Sequence, residues 1–287
     1  MILVTGATGT VGRELVRALA EHGEHVRAMT RRPAEIHVPP GVEVAYGDAD
    51  DPESLDVAFR GAAAAFVMSA QPVGSAPGPT HDLALVDAAK RAGVGRIVKL
   101  SVYDAGEGGT GPLARWHTAA EGAVTGSGLA YTLLRPGRFM TNTLGWAPMI
   151  ARGDDVYVPF ADLPTASIDP ADIAAVAAAA LAGGHDGAAY RLTGPEILTP
   201  AEELAVIAKE TGRTLRVVEP PEEAFRTGMA RSGMSAEVIE TILTRMRDDP
   251  PVPEVLPTVE EVLGRPATRF ADWVARNREA FPARGDR

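Results

Sequence analysis

The sequence predicts an α/β protein, a doubly wound parallel sheet followed by a smaller and mostly helical lobe. Three observations carry this. Apolar, strand-like runs alternate with helix-period stretches through the first half of the chain. The segments between those runs have the length of crossover helices, which parallel pairing requires. After Pro136 the alternation loosens into Pro-punctuated, mainly helical sequence.

The expected strands are ILVT, HVRAMT, VEVAYG, AAAFVMS, GRIVKLSV and AYTLLRP. Buried parallel strands are near-continuously apolar, and the FVM and IVKL runs mostly comply. The first helix, TVGRELVRALAEHG, carries an apolar stripe at Val11, Leu15, Val16 and Leu19. Further helices are expected around 52–60, 79–92 and 113–127. The one near 52 is marked by Asp51 as N-cap and Pro52 at its first position. Beyond Pro136, Asp169 and Pro170 open a helix that Gly183 ends, and AAYRLTG reads as a returning strand. Helices at 200–211, 221–231, 235–248 and 267–280 and a strand in TLRVVEP complete the reading. PPVPEVLPTVEEVLG resembles a linker or lid edge. The expected division is a nucleotide-binding core over 1–152, with 166–194 returning to it, and a substrate-binding lobe over 153–165 and 195–287.

Composition excludes several functions. The 287 residues carry 28 Lys+Arg against 38 Asp+Glu, a formal net charge of −10, so the whole-protein field repels nucleic acid and anionic membranes. The expected partner is a small molecule, and an anionic ligand needs a local basic pocket. There is no cysteine, which removes disulfides, thiolate catalysis and Cys-based metal sites. The histidines are scattered, and no metal site is expected. The opening apolar run flows straight into a glycine loop, with no room for a signal peptide. No stretch approaches a membrane span, and a cytoplasmic location is expected. Oligomeric state is not legible.

VTGATGTVGREL sets Gly6, Gly9 and Gly12 between the first strand and the first helix. Such glycines permit a tight turn, close approach of backbone N–H groups to a pyrophosphate, and close helix–strand packing. The helix N-terminus adds partial positive charge. Thr8, Thr10 and Val11 belong to the same cofactor loop. The second strand ends in AMTRRP, where an NAD site usually keeps an acidic residue for the ribose 2′-hydroxyl. Arg31 and Arg32 stand there instead, and guanidinium groups favour a 2′-phosphate. The expected cofactor is NADP, as NADPH.

The chain resembles the NmrA-like family, atypical members of the short-chain dehydrogenase/reductase superfamily. VTGATGTVGREL, YGDADDPESLDVAFRGAAAAF, RIVKLSV, HTAAEGAVTGSGLAYTLLRPGRFMTN, DPADIAAVAAAAL, YRLTGPEILTPAEELA and EEVLGRPATRFADWV carry the likeness, in family order. The resemblance implies a Rossmann core that binds NADP(H) and a C-terminal lobe closing over a cleft. It implies contacts from Asp48, with Ala49 beside it, to the adenine. Met68, Ser69 and Ala70 would lie beside the cofactor ribose, Ser101 near the nicotinamide, and Pro136 and Gly137 beside the carboxamide.

Most reductases of that superfamily keep a Tyr-x-x-x-Lys pair on the helix after the fifth strand, as proton donor and ribose anchor. Here that helix has neither residue type, and His117-x-x-x-Glu121 stands at the corresponding spacing. A histidine of ordinary pKa, near ~6.5, can supply a proton at neutral pH, and Glu121 could fix its tautomer or raise its pKa. His117 is otherwise a cofactor or substrate contact, or a partly buried helix residue. Tyr103 is the second donor candidate, and Ser101 completes the expected catalytic set. Trp116, Phe139, Met140 and Trp146 could line an apolar substrate pocket or belong to the core. Without a strong acid, a conjugated acceptor is favoured, because it spreads or cancels developing negative charge by itself. The expected function is therefore hydride transfer from NADPH to a conjugated carbonyl, quinone or polycyclic aromatic ketone. The alternative is a non-catalytic NADP(H)-sensing regulator acting through a protein partner.

Overall fold

The computed structural model describes residues 1–281 apart from Ala70, Glu107, Thr110, Ser232 and 249–251. The chain folds as two compact units, Met1–Pro136 with Pro170–Leu192, and Gly137–Asp169 with Thr193–Arg287.

The first unit is a seven-stranded parallel sheet. Its strands are β1 (Ile2–Val4), β2 (Val26–Thr30), β3 (Glu43–Tyr46), β4 (Ala64–Val67), β5 (Arg96–Leu100), β6 (Ala130–Pro136) and β8 (Ala188–Leu192). Their order is β3-β2-β1-β4-β5-β6-β8, which is the doubly wound arrangement expected. The helices between them are α1 (Thr10–Glu21), α2 (Pro52–Phe59), α3 (Thr80–Arg91), α4 (Pro112–Thr125) and α6 (Pro170–Ala182). Val11, Leu15, Val16 and Leu19 are all buried in α1, as their spacing predicts. Asp51 caps α2 by accepting from the Ser54 N–H. One face of the sheet, with α2, α3 and α4, holds a core that includes Leu3, Phe59, Ala65, Val67, Ile97 and Leu133. Fully burying a side chain such as Phe59 or Ile97 contributes roughly 1.5–3 kcal/mol.

The second unit contains a short helical turn at Met140–Trp146, α5 (Ala147–Arg152), β7 (Asp155–Tyr157), α7 (Pro200–Thr211) and β9 (Arg216–Val218). It continues through α8 (Glu222–Arg231), α9 (Ala236–Asp248), α10 (Thr258–Leu263) and α11 (Phe270–Arg276). Its core includes Met140, Trp146, Ile150, Leu204, Phe270 and Trp273. Arg138 reaches Glu203 of α7 at 2.6 Å and Ser167 at 2.7 Å, tying the segment after β6 to that helix.

Two expectations need correction. The boundary falls after Pro136 rather than at 152, because Met140, Trp146 and Ile150 pack into the second unit's core. The helix expected over 267–280 is α11 alone followed by one short turn at Arg278–Ala280. The strand expected in TLRVVEP is present as β9, and it pairs with β7, a three-residue strand too short for any periodicity to reveal.

Candidate functional site

The C-terminal ends of β1, β4, β5 and β6 lie side by side, the edge at which open α/β sheets take their ligands. Between β1 and α1 the chain turns at Gly6, whose φ of +60° disfavours a side chain. A Cβ on Gly6 would lie 2.2 Å from Met68 Sδ, and one on Gly12 would lie 2.1 Å from the Gly6 carbonyl oxygen. At Gly12 the clash is with backbone that cannot give way, whereas at Gly6 the positive φ disfavours a side chain and Met68 would have to move to admit one. Gly9, the N-cap of α1, supplies no side chain to the first-turn N–H groups of Thr10, Val11 and Gly12. The Thr5 hydroxyl donates to the Met68 carbonyl and accepts from the Met68 N–H, each at 2.9 Å, which locks the ends of β1 and β4 together. Thr8 is exposed on this loop.

Further along the same edge, Arg31 and Arg32 follow β2 directly, both exposed. Arg32 pairs with Glu35 at 3.0 Å. Asp48 follows β3; its carboxylate accepts from the Asp50 N–H at 3.2 Å, and Ala49 lies within that turn. Asp48 thus carries a local turn contact through one carboxylate oxygen. Ala70 lies outside the described residues.

On the face toward α3 and α4, the apolar layer gives way to polar residues. Val67, Lys99 and Leu133 stand level in the strand register. Two residues on, and so on the same face, come Ser69, Ser101 and Arg135. Lys99 is 1 % exposed and pairs with Asp82 of α3 at 2.9 Å. The second oxygen of Asp82 accepts from the Ser69 hydroxyl at 2.8 Å. Arg135 makes two bonds to Glu121 of α4, at 3.0 and 2.8 Å, and both side chains are buried.

The His117/Glu121 pair is thereby resolved. Both sit on α4, yet Glu121 is committed to Arg135 and does not orient the imidazole. Burial pushes the His117 pKa down to about 4, the Lys99 ammonium adds to the shift, and Asp82 and Glu121 only partly offset it. His117 is therefore neutral at physiological pH, not the ordinary imidazole the sequence suggested. Its Nδ1 is buried without a hydrogen-bond partner in the protein, and so is the Ser101 hydroxyl. Buried polar atoms are nearly always satisfied, so two orphans on this edge mark where a ligand's polar groups belong. Tyr103 follows β5, with the Arg191 guanidinium 5.2 Å from its ring centroid.

Other expected residues part company. Trp116 is buried in α4, and Pro136 closes β6. Phe139, half-buried, belongs to the second unit, as do Met140 and Trp146. Met140 is 1 % exposed and Trp146 shares its apolar cluster, so both serve that unit's core rather than presenting a free surface. Sequence reasoning missed Lys99, Asp82 and Arg135. The available signal was a charged residue inside each of two parallel strands that should be apolar throughout.

A glycine cradle that any Cβ would fill, a helix N-terminus with no side-chain cap, and two orphaned buried polar atoms fit a nicotinamide dinucleotide. Together with the strand order they define a Rossmann-type dinucleotide-binding protein. The chain belongs to the NAD(P)H-binding family, whose model matches residues 6–183. It is 42% identical over 286 residues to the (4-alkanoyl-5-oxo-2,5-dihydrofuran-3-yl)methyl phosphate reductase of Streptomyces griseus, covering 98% of this chain and 99% of that one. It is 35% identical to the NAD(P)H azoreductase of Xenophilus azovorans, covering 99% of this chain and 100% of the relative. A crystal structure of an NADPH-dependent quinone oxidoreductase from Escherichia coli, complexed with NADPH, superposes with a TM-score of 0.75 at 27% identity, over 96% of this chain and 99% of that one. The resemblance to NmrA-like reductases is borne out, and the chain is an NAD(P)H-dependent reductase. Among the described residues no helix is long and apolar enough to cross a membrane.

Proposed function

We propose that this reductase uses NADPH to reduce a small conjugated acceptor, one whose own π-system takes up the developing charge. The observation that carries this is the absence of a cationic acid at His117: the imidazole is neutral and Glu121 is spent on Arg135. When bound, NADPH supplies a hydride from nicotinamide C4. The glycine loop would hold the pyrophosphate, Arg31 and Arg32 the 2′-phosphate, Asp48 and Ala49 the adenine, Met68 and Ser69 the ribose, and Ser101 and Pro136 the nicotinamide.

The neutral His117 ring offers one N–H and one lone pair. It can hydrogen-bond an acceptor oxygen, but giving up its only N–H proton at neutral pH is far harder than for an imidazolium. Tyr103, the acceptor's own hydroxyl, or water then supplies the proton. A conjugated acceptor makes that sufficient. The relatives' names agree in kind: a quinone, an azo compound, and a dihydrofuranone whose ring alkene carries an acyl group beside the ring carbonyl. Trp116 is the first unit's apolar candidate for facing such a substrate.

The test follows NADPH absorbance with matched acceptors. Quinones, doubly activated enones and azo compounds are expected to turn over, and saturated ketones of similar size are not. Equal turnover of the saturated ketones would refute the substrate class. The cofactor assignment has its own measurement. Replacing Arg31 and Arg32 together with Ala is expected to weaken NADPH by about 10–100-fold, the worth of a charge-assisted phosphate contact, while NADH binding stays unchanged. Equal losses for both cofactors would remove the 2′-phosphate contact.

A further inference from the structure

Lys99 enters the reading above only as a charge beside His117, and its position is unusual. It lies level with the apolar Val67 and Leu133 of the neighbouring strands, and it is 1 % exposed. A buried ion pair is weak evidence for stability, because desolvating two charges offsets most of their attraction. An apolar residue would fill the position at less cost. The pair's other connection suggests what it does: Asp82 is bonded both to Lys99 at 2.9 Å and to the Ser69 hydroxyl at 2.8 Å. Ser69 is half-buried, directly follows Met68, and Met68 covers Gly6 of the phosphate loop.

We propose that Lys99 and Asp82 are positioning residues that fix the polarity of the Ser69 hydroxyl, so that Ser69 meets the cofactor ribose as a hydrogen-bond acceptor. This rests on the reading of Ser69 as a ribose contact. An ionised carboxylate has lone pairs only, so in the Ser69–Asp82 bond the serine must donate. Its single proton is then committed inward, and its remaining lone pairs face outward. The complementary group is a hydroxyl donor, as a ribose provides. The Lys99 ammonium also donates to the Leu100 carbonyl, which anchors it in β5 and leaves Asp82 no freedom to turn away. Without the ion pair the serine hydroxyl is free to turn its proton outward, where it opposes a donor with a donor.

The experiment is a thermodynamic cycle read by NADPH binding in a calorimeter, with no turnover required. Ser69→Ala is expected to weaken NADPH by about fivefold, the worth of one neutral hydrogen bond. The double substitution Lys99→Met/Asp82→Leu, which replaces charge with matching apolar bulk, is expected to cost about the same. Combining all three is expected to add nothing further, because the relay acts only through Ser69. Asp82→Asn is the near-isosteric second variant should the apolar pair not fold. Its amide can donate as well as accept, and its loss is expected in the same direction, again vanishing on the Ser69→Ala background. Parental NADPH affinity in the folded charge-replacement variants would overturn the relay, and so would losses that add to Ser69→Ala. A Ser69→Ala protein that binds NADPH as tightly as the parent would instead overturn the ribose contact, and the relay with it.

Discussion

Replacing His117 with Gln is expected to flatten the acid side of the protein's stability profile by about 3 kcal/mol. The imidazole titrates near 6.5 when unfolded and is pushed down to about 4 in the fold, chiefly by burial and next by the Lys99 ammonium. Between those values the unfolded chain binds a proton that the folded chain refuses. Stability therefore rises with pH across this window, is complete above the unfolded pKa, and is lost as pH falls through it toward the folded pKa. Gln does not titrate, so the variant lacks this slope and keeps the carboxylate contributions common to both proteins. Urea unfolding of cofactor-free protein at closely spaced pH values gives the difference directly. Parallel profiles for parent and variant would mean that His117 titrates normally. The neutral-imidazole argument for conjugated acceptors would then lose its basis.

Removing the carboxylate of Glu121 is expected to be the most destabilising single change on this edge of the sheet. Glu121→Ala leaves the Arg135 guanidinium buried without its two bonds of 3.0 and 2.8 Å, and breaking a buried pair in this way costs about 3–5 kcal/mol. The local packing allows little relief. A Cβ on Gly106 would come within 2.2 Å of Arg135 Nη2, so the loop after β5 lies directly against the guanidinium. That loop is held again where the Thr118 hydroxyl of α4 accepts from the Gly106 N–H at 2.9 Å. The apolar double variant Glu121→Leu/Arg135→Met is expected to recover most of the loss, because it removes both charges together. Denaturant midpoints for the two variants test this. A double variant no more stable than Glu121→Ala would show that the pair contributes by shape rather than by charge.

These expectations locate the boundary between sequence and structure. Local rules were enough for the strand and helix order of the first unit. Apolar strand runs, period-3.6 helix stripes, Asp51 before Pro52, and glycines at 6, 9 and 12 each act within a few residues, and the fold respects all of them. The cofactor class was equally legible, since a phosphate loop needs only a strand, three glycines and a helix start in succession. The second unit was read less well. Its strands β7 and β9 are three residues each and find one another across more than fifty residues of chain. Met140 and Trp146 looked like pocket residues because apolar spacing alone does not say what an apolar side chain faces.

The chemistry of the site was decided by tertiary structure alone. In sequence, His117 and Glu121 are a pair one helical turn apart, and that spacing does place them on one helix. Glu121 nevertheless turns to Arg135, fourteen residues on in β6, because an unpaired guanidinium there would be prohibitively costly. Its departure leaves His117 to its burial and to Lys99, a residue from a different strand. Ionisation depends on charges near in space, and a linear sequence lists only neighbours along the chain. The sequence by itself determined the parallel sheet, the glycine loop and the nucleotide it suits. Only the folded chain decided which carboxylate meets which cation, and through that the protonation state of the histidine from which the proposed acceptor class is argued.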